Sequence, residues 1–390
     1  MDFIPRFGKA HLEKLLRSSK VVIVLGARQV GKTTLVQHVL KDSKTQFLNL
    51  DIEVDKQRFL SASKISPFEA IKSFGMPEIL VIDEAQRLVE TGRIIKGWYD
   101  SKVPVRMVLL GSSSLNILSQ SAESLTGRNV KLFLTPLLFK EILSSKDWYS
   151  SVFSWDSIQR QFSEQIRTTL LETLVFGSYP EAVVTSERTQ YLTNLVSDYL
   201  LKDILQLGLV KNPDVIKRLL MLLAHQVGSE VSVNELANNL NLSRITVDRY
   251  LDLLEQTFVI FRLAAFSTNP RKEIAKSSKI YFWDTGIRNA LLNELSVNPL
   301  RPDIGSLWEN WVVAEAAKEN IQMELGKSLY FWRSRAGSEV DLIVKDGEKI
   351  KAFEIKWSHR QKASTRAFRD RYGVGVKVIT SRFPVISEDI

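Results

Sequence analysis

Residues 26–33, Gly-Ala-Arg-Gln-Val-Gly-Lys-Thr, carry the spacing G-x-x-x-x-G-K-[ST]. That spacing is suited to capturing a polyphosphate. The glycines let backbone N–H groups turn inward around an anion, and a following helix adds the partial positive charge of its N-terminus. Lys32 would neutralise the β- and γ-phosphates, and the Thr33 hydroxyl would ligate Mg²⁺. The expected nucleotide-binding stretch is therefore Gly26, Ala27, Arg28, Gln29, Val30, Gly31, Lys32, Thr33 and Thr34.

A second set completes such a site. The apolar run Ile79-Leu80-Val81-Ile82 closes on Asp83 and Glu84. Asp83 would hold the Mg²⁺ through water, and Glu84 would polarise the attacking water. Residues 105–114 form another strand pattern ending in hydroxyls. Ser112 and Ser113 there are the candidates for sensing a γ-phosphate, in the manner of ATPases with an extra strand between phosphate loop and acidic strand. Arg128 follows a short helix and a glycine. It reads either as an arginine finger, toward its own or a neighbouring subunit, or as a surface arginine after a helix end. Nothing matches the guanine-reading pattern N-K-x-D, so ATP is preferred to GTP.

A third set lies near the C-terminus. Strand alternation puts Glu339 and Asp341 on one face, and Glu354 and Lys356 on one face. If the two strands pair, two acids and a lysine converge, and Glu315 on the preceding helix would add a fourth group. Carboxylates bind Mg²⁺, the ion activates water, and a lysine supports the developing phosphate charge. Asp341, Glu354 and Lys356 are thus candidate catalytic groups, with Asp341, Glu354 and Glu315 as metal ligands. A salt-bridged polar sheet face is the competing reading.

The elements that must hold these groups are legible around them. Val21-Val22-Ile23-Val24-Leu25 has the β-branched character of a buried strand, and residues 34–40 space their apolar side chains like one helix face. Residues 136–228 read as helical, interrupted at Phe176-Gly177-Ser178-Tyr179-Pro180-Glu181-Ala182. Ser232 or Asn234 can cap one short helix and Ser243 the next, a helix-turn-helix pattern, with 257–263 and 279–283 as wing strands. Its second helix presents Arg244, Thr246, Asp248 and Arg249, less base than DNA reading wants, so DNA recognition and protein packing both stay open.

A chain of 390 residues predicts two or three domains on size. Its 44% hydrophobic and 25% charged residues are ordinary for a soluble globular protein. No apolar run reaches the roughly 20 residues of a bilayer span, so no membrane partner is expected. The absence of cysteine excludes disulfides and thiolate metal sites and makes the cytoplasm the expected location. The +9 net charge favours a polyanionic partner without requiring one. Residues 351–390 hold nine Lys/Arg against four Asp/Glu.

Taken together, these motifs resemble a prokaryotic family of ATP-binding proteins. Its members join an AAA-type ATPase core to a winged helix and a C-terminal PD-(D/E)XK nuclease-like domain of unknown function. The resemblance is carried by Gly26 to Thr34, Leu80 to Gln86, Gly111 to Ser114, Leu125 to Arg128, Tyr179-Pro180-Glu181, Lys202-Asp203, residues 282–286 and the two acidic strands. It implies an α/β fold in four parts. These are an AAA-type P-loop parallel sheet over 1–150, a helical connector over 151–228, a winged helix over 229–285 and a small α/β nuclease-like domain over 286–390. It also implies ATP and Mg²⁺ as cofactors, while the basic charge and the helix-turn-helix make DNA the expected partner and a homo-oligomer is the open assembly question. Whether the C-terminal domain cuts anything is left open, so a nucleotide-switched DNA- or protein-binding regulator stands beside the ATPase-nuclease reading.

Overall fold

The structure is a computed structural model that describes residues 3–112, 125–150, 154–200, 213–267, 278–334, 336–358 and 366–382. Ser113, Lys202 and Asp203 lie outside the described residues. The chain forms two compact units, one of residues 5–135 with 256–258, the other of 1–4, 136–255 and 259–390.

In the first unit the helix α1 (Gly8–Leu16) precedes β1 (Val21–Leu25), followed by α2 (Lys32–Val39) and β2 (Thr45–Asn49). Then come α3 (Glu53–Ala62), α4 (Pro67–Ser73), β3 (Ile79–Asp83), α5 (Thr91–Asp100), β4 (Arg106–Gly111) and β5 (Asn129–Phe133). The strands make one parallel sheet in the order β2-β3-β4-β1-β5. Every residue of β1 and of β3 is buried, as expected of strands with a helix layer on both faces. Phe59 and Trp98 meet edge to face at 5.4 Å beneath the sheet. Because β4 inserts between β1 and β3, the tips of all three strands line one edge.

The second unit holds a mixed six-stranded sheet in the order β11-β10-β9-β8-β6-β7. Its strands are β6 (Ile260–Ala265), β7 (Ser278–Phe282), β8 (Ser328–Arg333), β9 (Glu339–Asp346), β10 (Lys349–Lys356) and β11 (Val376–Thr380). Two helices, Val233–Leu240 and Arg244–Gln256, precede the β6–β7 pair. Ser232 and Ser243 accept hydrogen bonds from the amides of Glu235 and Thr246, which caps both helix starts. The border expected at 285/286 is not a break in the sheet, since β6 pairs β8 through Ala264–Tyr330 and Ala265–Phe331. Among the described residues no helix is long and apolar enough to cross a membrane.

The long helix Ile304–Gln322 is buried on nearly every side, which is why no amphipathic face can be read from its sequence. Asn310 fixes it to β7: its side chain accepts from the Phe282 amide at 2.8 Å and donates to the Phe282 carbonyl at 2.9 Å. The 176–182 and 282–286 motifs pack against each other. Asp284 accepts from the Ser178 amide and hydroxyl at 2.6 and 2.9 Å, and a Cβ on Gly177 would meet its carboxylate at 1.9 Å. These contacts tie the two segments together.

Candidate functional site

The glycine loop of the first unit is shaped by three steric facts. A Cβ on Gly26 would lie 2.0 Å from the Leu134 carbonyl oxygen, so only glycine fits there. Gly31 takes the left-handed conformation (φ 89°) at the start of α2, and Gln29 has φ 59°. From behind, the buried Arg6 donates to the Val30 carbonyl at 2.8 Å and to the Thr135 carbonyl at 2.6 Å. Sequence reasoning missed this brace, since Arg6 lies twenty residues before the loop in an unremarked segment.

Lys32 is buried inside the loop and donates to the carbonyls of Gly26 and Ala27 at 3.0 and 2.8 Å. Arg28 and Gln29 are half-buried in the loop, and Thr34 is exposed on the first turn of α2. The Thr33 hydroxyl donates to Asp83 Oδ2 at 2.6 Å, and Asp83 Oδ1 accepts the Glu84 amide at 2.8 Å. A hydroxyl and a carboxylate side by side suit Mg²⁺, a hard cation that takes oxygen ligands and keeps several waters. Glu84 stands at the strand tip with φ 51°, a conformation that L side chains adopt at a cost and that is common at functional sites. Gln86, not anticipated as functional, donates through Nε2 to Glu84 Oε2 at 2.5 Å and to Ser112 Oγ at 2.9 Å. It therefore joins the expected water-polarising acid to the tip of β4.

Arg128 corrects one expectation. Its carbonyl accepts from the amide of Val21, at the start of β1, whereas the phosphate loop follows the end of β1. Five residues of strand, about 16 Å at 3.3 Å each, separate the two edges of the sheet. Its guanidinium forks onto Asp100 at 2.6 and 3.2 Å. That hydrogen bond raises the arginine's pKa and lowers that of the aspartate. Arg128 is not a γ-phosphate ligand of its own subunit, because a parallel sheet puts the residue before a strand at the edge opposite its tips.

In the second unit, β9 and β10 pair antiparallel and bring the expected groups together. Asp341 Oδ2 accepts the Ile355 amide at 2.7 Å, while Lys356 lies 3.0 Å from Glu354 Oε1 and 4.0 Å from Asp341 Oδ2. Burial first, then the charge of Glu309, pushes the Asp341 carboxyl up to about 7, against the pull of Lys279, the Ile355 amide and Lys356. Burial alone would lower the Lys356 ammonium, yet Glu354 and Asp341 hold it above its ordinary value.

Glu315 does not join this group. Its carboxylate accepts the Phe139 amide at 2.8 Å and the Lys318 ammonium at 2.9 Å, and Lys318 also donates to Ser178. The acid from the long helix that does face the sheet is Glu309. Six residues apart, the two lie about 240° around the helix, hence on different sides. Glu309 accepts from the Tyr281 hydroxyl at 2.8 Å and from Lys279 at 3.0 Å. Lys279, only 2% exposed, also contacts Glu339 and lies 3.9 Å from Asp341. Burial opposes its charge, but Glu309, Glu339 and Asp341 hold the ammonium protonated. Neither residue was foreseen. The polar pair Glu309-Asn310 between Trp308 and Trp311 was the available signal.

Among the described residues no three His, Cys, Asp or Glu side chains stand as a ready-made metal cage. Mg²⁺ needs less, usually one or two carboxylates plus waters. Glu354 Oε2 is buried without a hydrogen-bond partner, a free ligand position beside Asp341. The pair therefore fits a single hydrated divalent cation.

Residues 18–143 match the family described as AAA domain. The first unit carries an AAA domain. Such a domain implies nucleotide binding, typically with Mg²⁺. Downstream of the AAA domain, residues 167–297 and 304–383 match two domains of unknown function, DUF8612 and DUF4143. An uncharacterized protein of Mycobacterium tuberculosis is 29% identical over 354 residues, covering 90% of this chain and 73% of that protein. One from Methanocaldococcus jannaschii is 25% identical over 391 residues, covering 95% and 84%. The chain is also similar to the solved structure of a Walker-type ATPase of Pyrococcus abyssi. That match has TM-score 0.51 at 14% identity and covers 75% of this chain and 96% of that one, a likeness of fold.

Proposed function

We propose that the chain is an Mg²⁺-dependent ATPase whose second unit is a DNA-facing winged helix joined to a PD-(D/E)XK nuclease-like site. The ATPase half is carried by the contact of Thr33 with Asp83 at 2.6 Å, with Glu84 next in sequence. Lys32 and the loop amides bind the phosphates, and Glu84 orients the attacking water and takes up its proton. Thr33 and Asp83 would hold the Mg²⁺, which would supply positive charge to the phosphates. Gln86 keeps Glu84 and Ser112 in register. The test is a pair of variants: Lys32→Ala should lose nucleotide binding, whereas Glu84→Gln should bind ATP and fail to turn it over. Wild-type protein without measurable ATP affinity overturns this reading. Self-assembly is proposed only as a nucleotide-dependent homo-oligomer, measured by light scattering with and without ATP.

The nuclease half rests on Asp341, Glu354 and Lys356 converging with an unpartnered Glu354 oxygen. Asp341 and Glu354 would hold a divalent cation, which would supply a water nucleophile. Lys356 would support charge on the phosphodiester. A second reading, a nucleotide-switched DNA- or protein-binding regulator with an inert nuclease-like domain, is favoured by two observations. Lys279 is lodged among the acids, and the exposed face of Arg244–Gln256 spends Arg244 on Asp248 at 3.7 Å while leaving Ile245 81% exposed. Cleavage assays on DNA and RNA with Mg²⁺ or Mn²⁺ separate the readings. Cleavage lost in Asp341→Ala and Lys356→Ala supports the first; intact substrates with wild type select the second.

A further inference from the structure

We propose that the acidic site of the second unit takes one divalent cation only, because the Lys279 ammonium permanently fills the place of a second. This rests on the reading of Asp341 and Glu354 as cation ligands. Lys279 gathers Glu309, Glu339 and Asp341, and Lys356 gathers Asp341 and Glu354, two sets that share one aspartate as the ligands of paired ions ~3.5–4 Å apart do in a two-metal phosphodiester site. Asp341 is placed to be shared. Glu354 and its unpartnered Oε2 accompany it on one side, while its Oδ1 faces Lys279 at 3.9 Å on the other. On that second side the ligands are spent: Glu309 and Glu339 both contact Lys279, and Glu309 also accepts the Tyr281 hydroxyl.

Charge leads to the same count. The four carboxylates, when ionised, face the ammonium groups of Lys279 and Lys356, which leaves two negative charges for one divalent ion. At the rim Arg333 reaches Glu230 at 3.2 Å and Glu339 at 4.0 Å, and that arginine–glutamate pair adds no net charge. Lys279 cannot easily leave. Its backbone belongs to β7, its ammonium lies 5.6 Å over the Phe331 ring, and a protonated amine withdrawn from three carboxylates would leave buried, unpaired acids behind. The lysine arrives from the hairpin that follows the two short helices, so cation occupancy of the site is tied to that hairpin's seat in the sheet.

The test uses the full chain with Asp83→Asn, which removes the ATP-site ion, titrated with Mn²⁺ without nucleotide and followed by electron paramagnetic resonance. The expected result is one bound Mn²⁺ with the spectrum of an isolated ion, lost in Asp341→Asn and in Glu354→Gln. Adding Lys279→Met should admit a second Mn²⁺, lower the melting temperature of the ion-free protein and make Mn²⁺ restore it. A spin-coupled manganese pair in the protein that retains Lys279 overturns the proposal, whether or not the Lys279 variant folds. A folded Lys279→Met protein that binds one Mn²⁺ with unchanged affinity overturns it too. No bound Mn²⁺ in any variant, or one that survives Asp341→Asn, instead overturns the underlying reading of the ligands.

Discussion

Lys279 on β7 and Asp341 on β9 stand 3.9 Å apart, although two strands, β6 and β8, lie between theirs in the sheet. The lysine spans that gap across the sheet face, and the aspartate it reaches is the most perturbed carboxyl of the site. An Asp341 carboxyl near 7 in the folded chain and near 3.8 when unfolded takes up a proton on folding between those values. Its contribution to stability is therefore largest below about pH 4, falls as pH rises toward 7, and stays low above that. With a chelator present, the melting temperature of Asp341→Asn should fall less between pH 5 and pH 8 than that of wild type. Identical slopes in thermal melts would remove the raised carboxyl.

Gln86 bridges Glu84 and Ser112, so its loss should act on chemistry more than on binding. Gln86→Leu should lower kcat for ATP hydrolysis about tenfold or more, the weight of a hydrogen bond to a charged group, with KM nearly unchanged. Steady-state kinetics check this, and an unchanged kcat would leave Gln86 a purely structural residue.

Two glycines of the AAA domain should respond in opposite directions. Gly26→Ala drives a methyl group against the Leu134 carbonyl and should cost about 1–3 kcal/mol along with nucleotide affinity. Gly97, exposed within α5 with nothing within 4 Å of an added Cβ, should tolerate alanine and gain up to about 1 kcal/mol of stability. Urea unfolding and nucleotide titration measure both.

Glu315 and Glu309 should separate stability from the acidic site. Glu315→Ala strands Lys318 and the Phe139 amide and should destabilise by about 3 kcal/mol, while leaving Mn²⁺ binding intact at temperatures where the variant is folded. Glu309→Gln should alter Mn²⁺ affinity. Cation binding that vanishes in Glu315→Gln instead would return Glu315 to the site.

Arg128, tied to Asp100 at the far edge of the sheet, should be dispensable to its own subunit. Arg128→Ala measured at concentrations where the chain is monomeric should hydrolyse ATP at the wild-type rate. A collapse of turnover that appears only on assembly would assign the arginine to a neighbour's site.

Much of the AAA domain was legible from contiguous residues. A strand, a glycine loop and a helix follow one another without a gap, and Ile79 to Glu84 is a buried strand with acids at its tip. The glycines and the Lys32-Thr33 pair reveal the loop by residue type and spacing, whereas the Leu134 carbonyl that crowds Gly26 and the Asp83 carboxylate that meets Thr33 come from distant strands. The pairing of β9 with β10 was legible too, because a short turn joins them and a period of two decides which side chains share a face. Which edge Arg128 occupies depends on all five strands running parallel, and no local pattern carries that.

Neighbouring residues are enough to place the phosphate loop, the acidic strand tip and the Asp341–Glu354–Lys356 trio, because each depends on contacts within a turn, a strand or one hairpin. That Glu309 rather than Glu315 faces the trio, and that Lys279 stands among its acids, follows only from the folded chain. The long helix is apolar on nearly every side, so its periodicity could not say which acid points at the sheet. The hairpin lysine comes from more than fifty residues earlier in the chain. What buries its charge there is a set of carboxylates that only the folded sheet brings within reach.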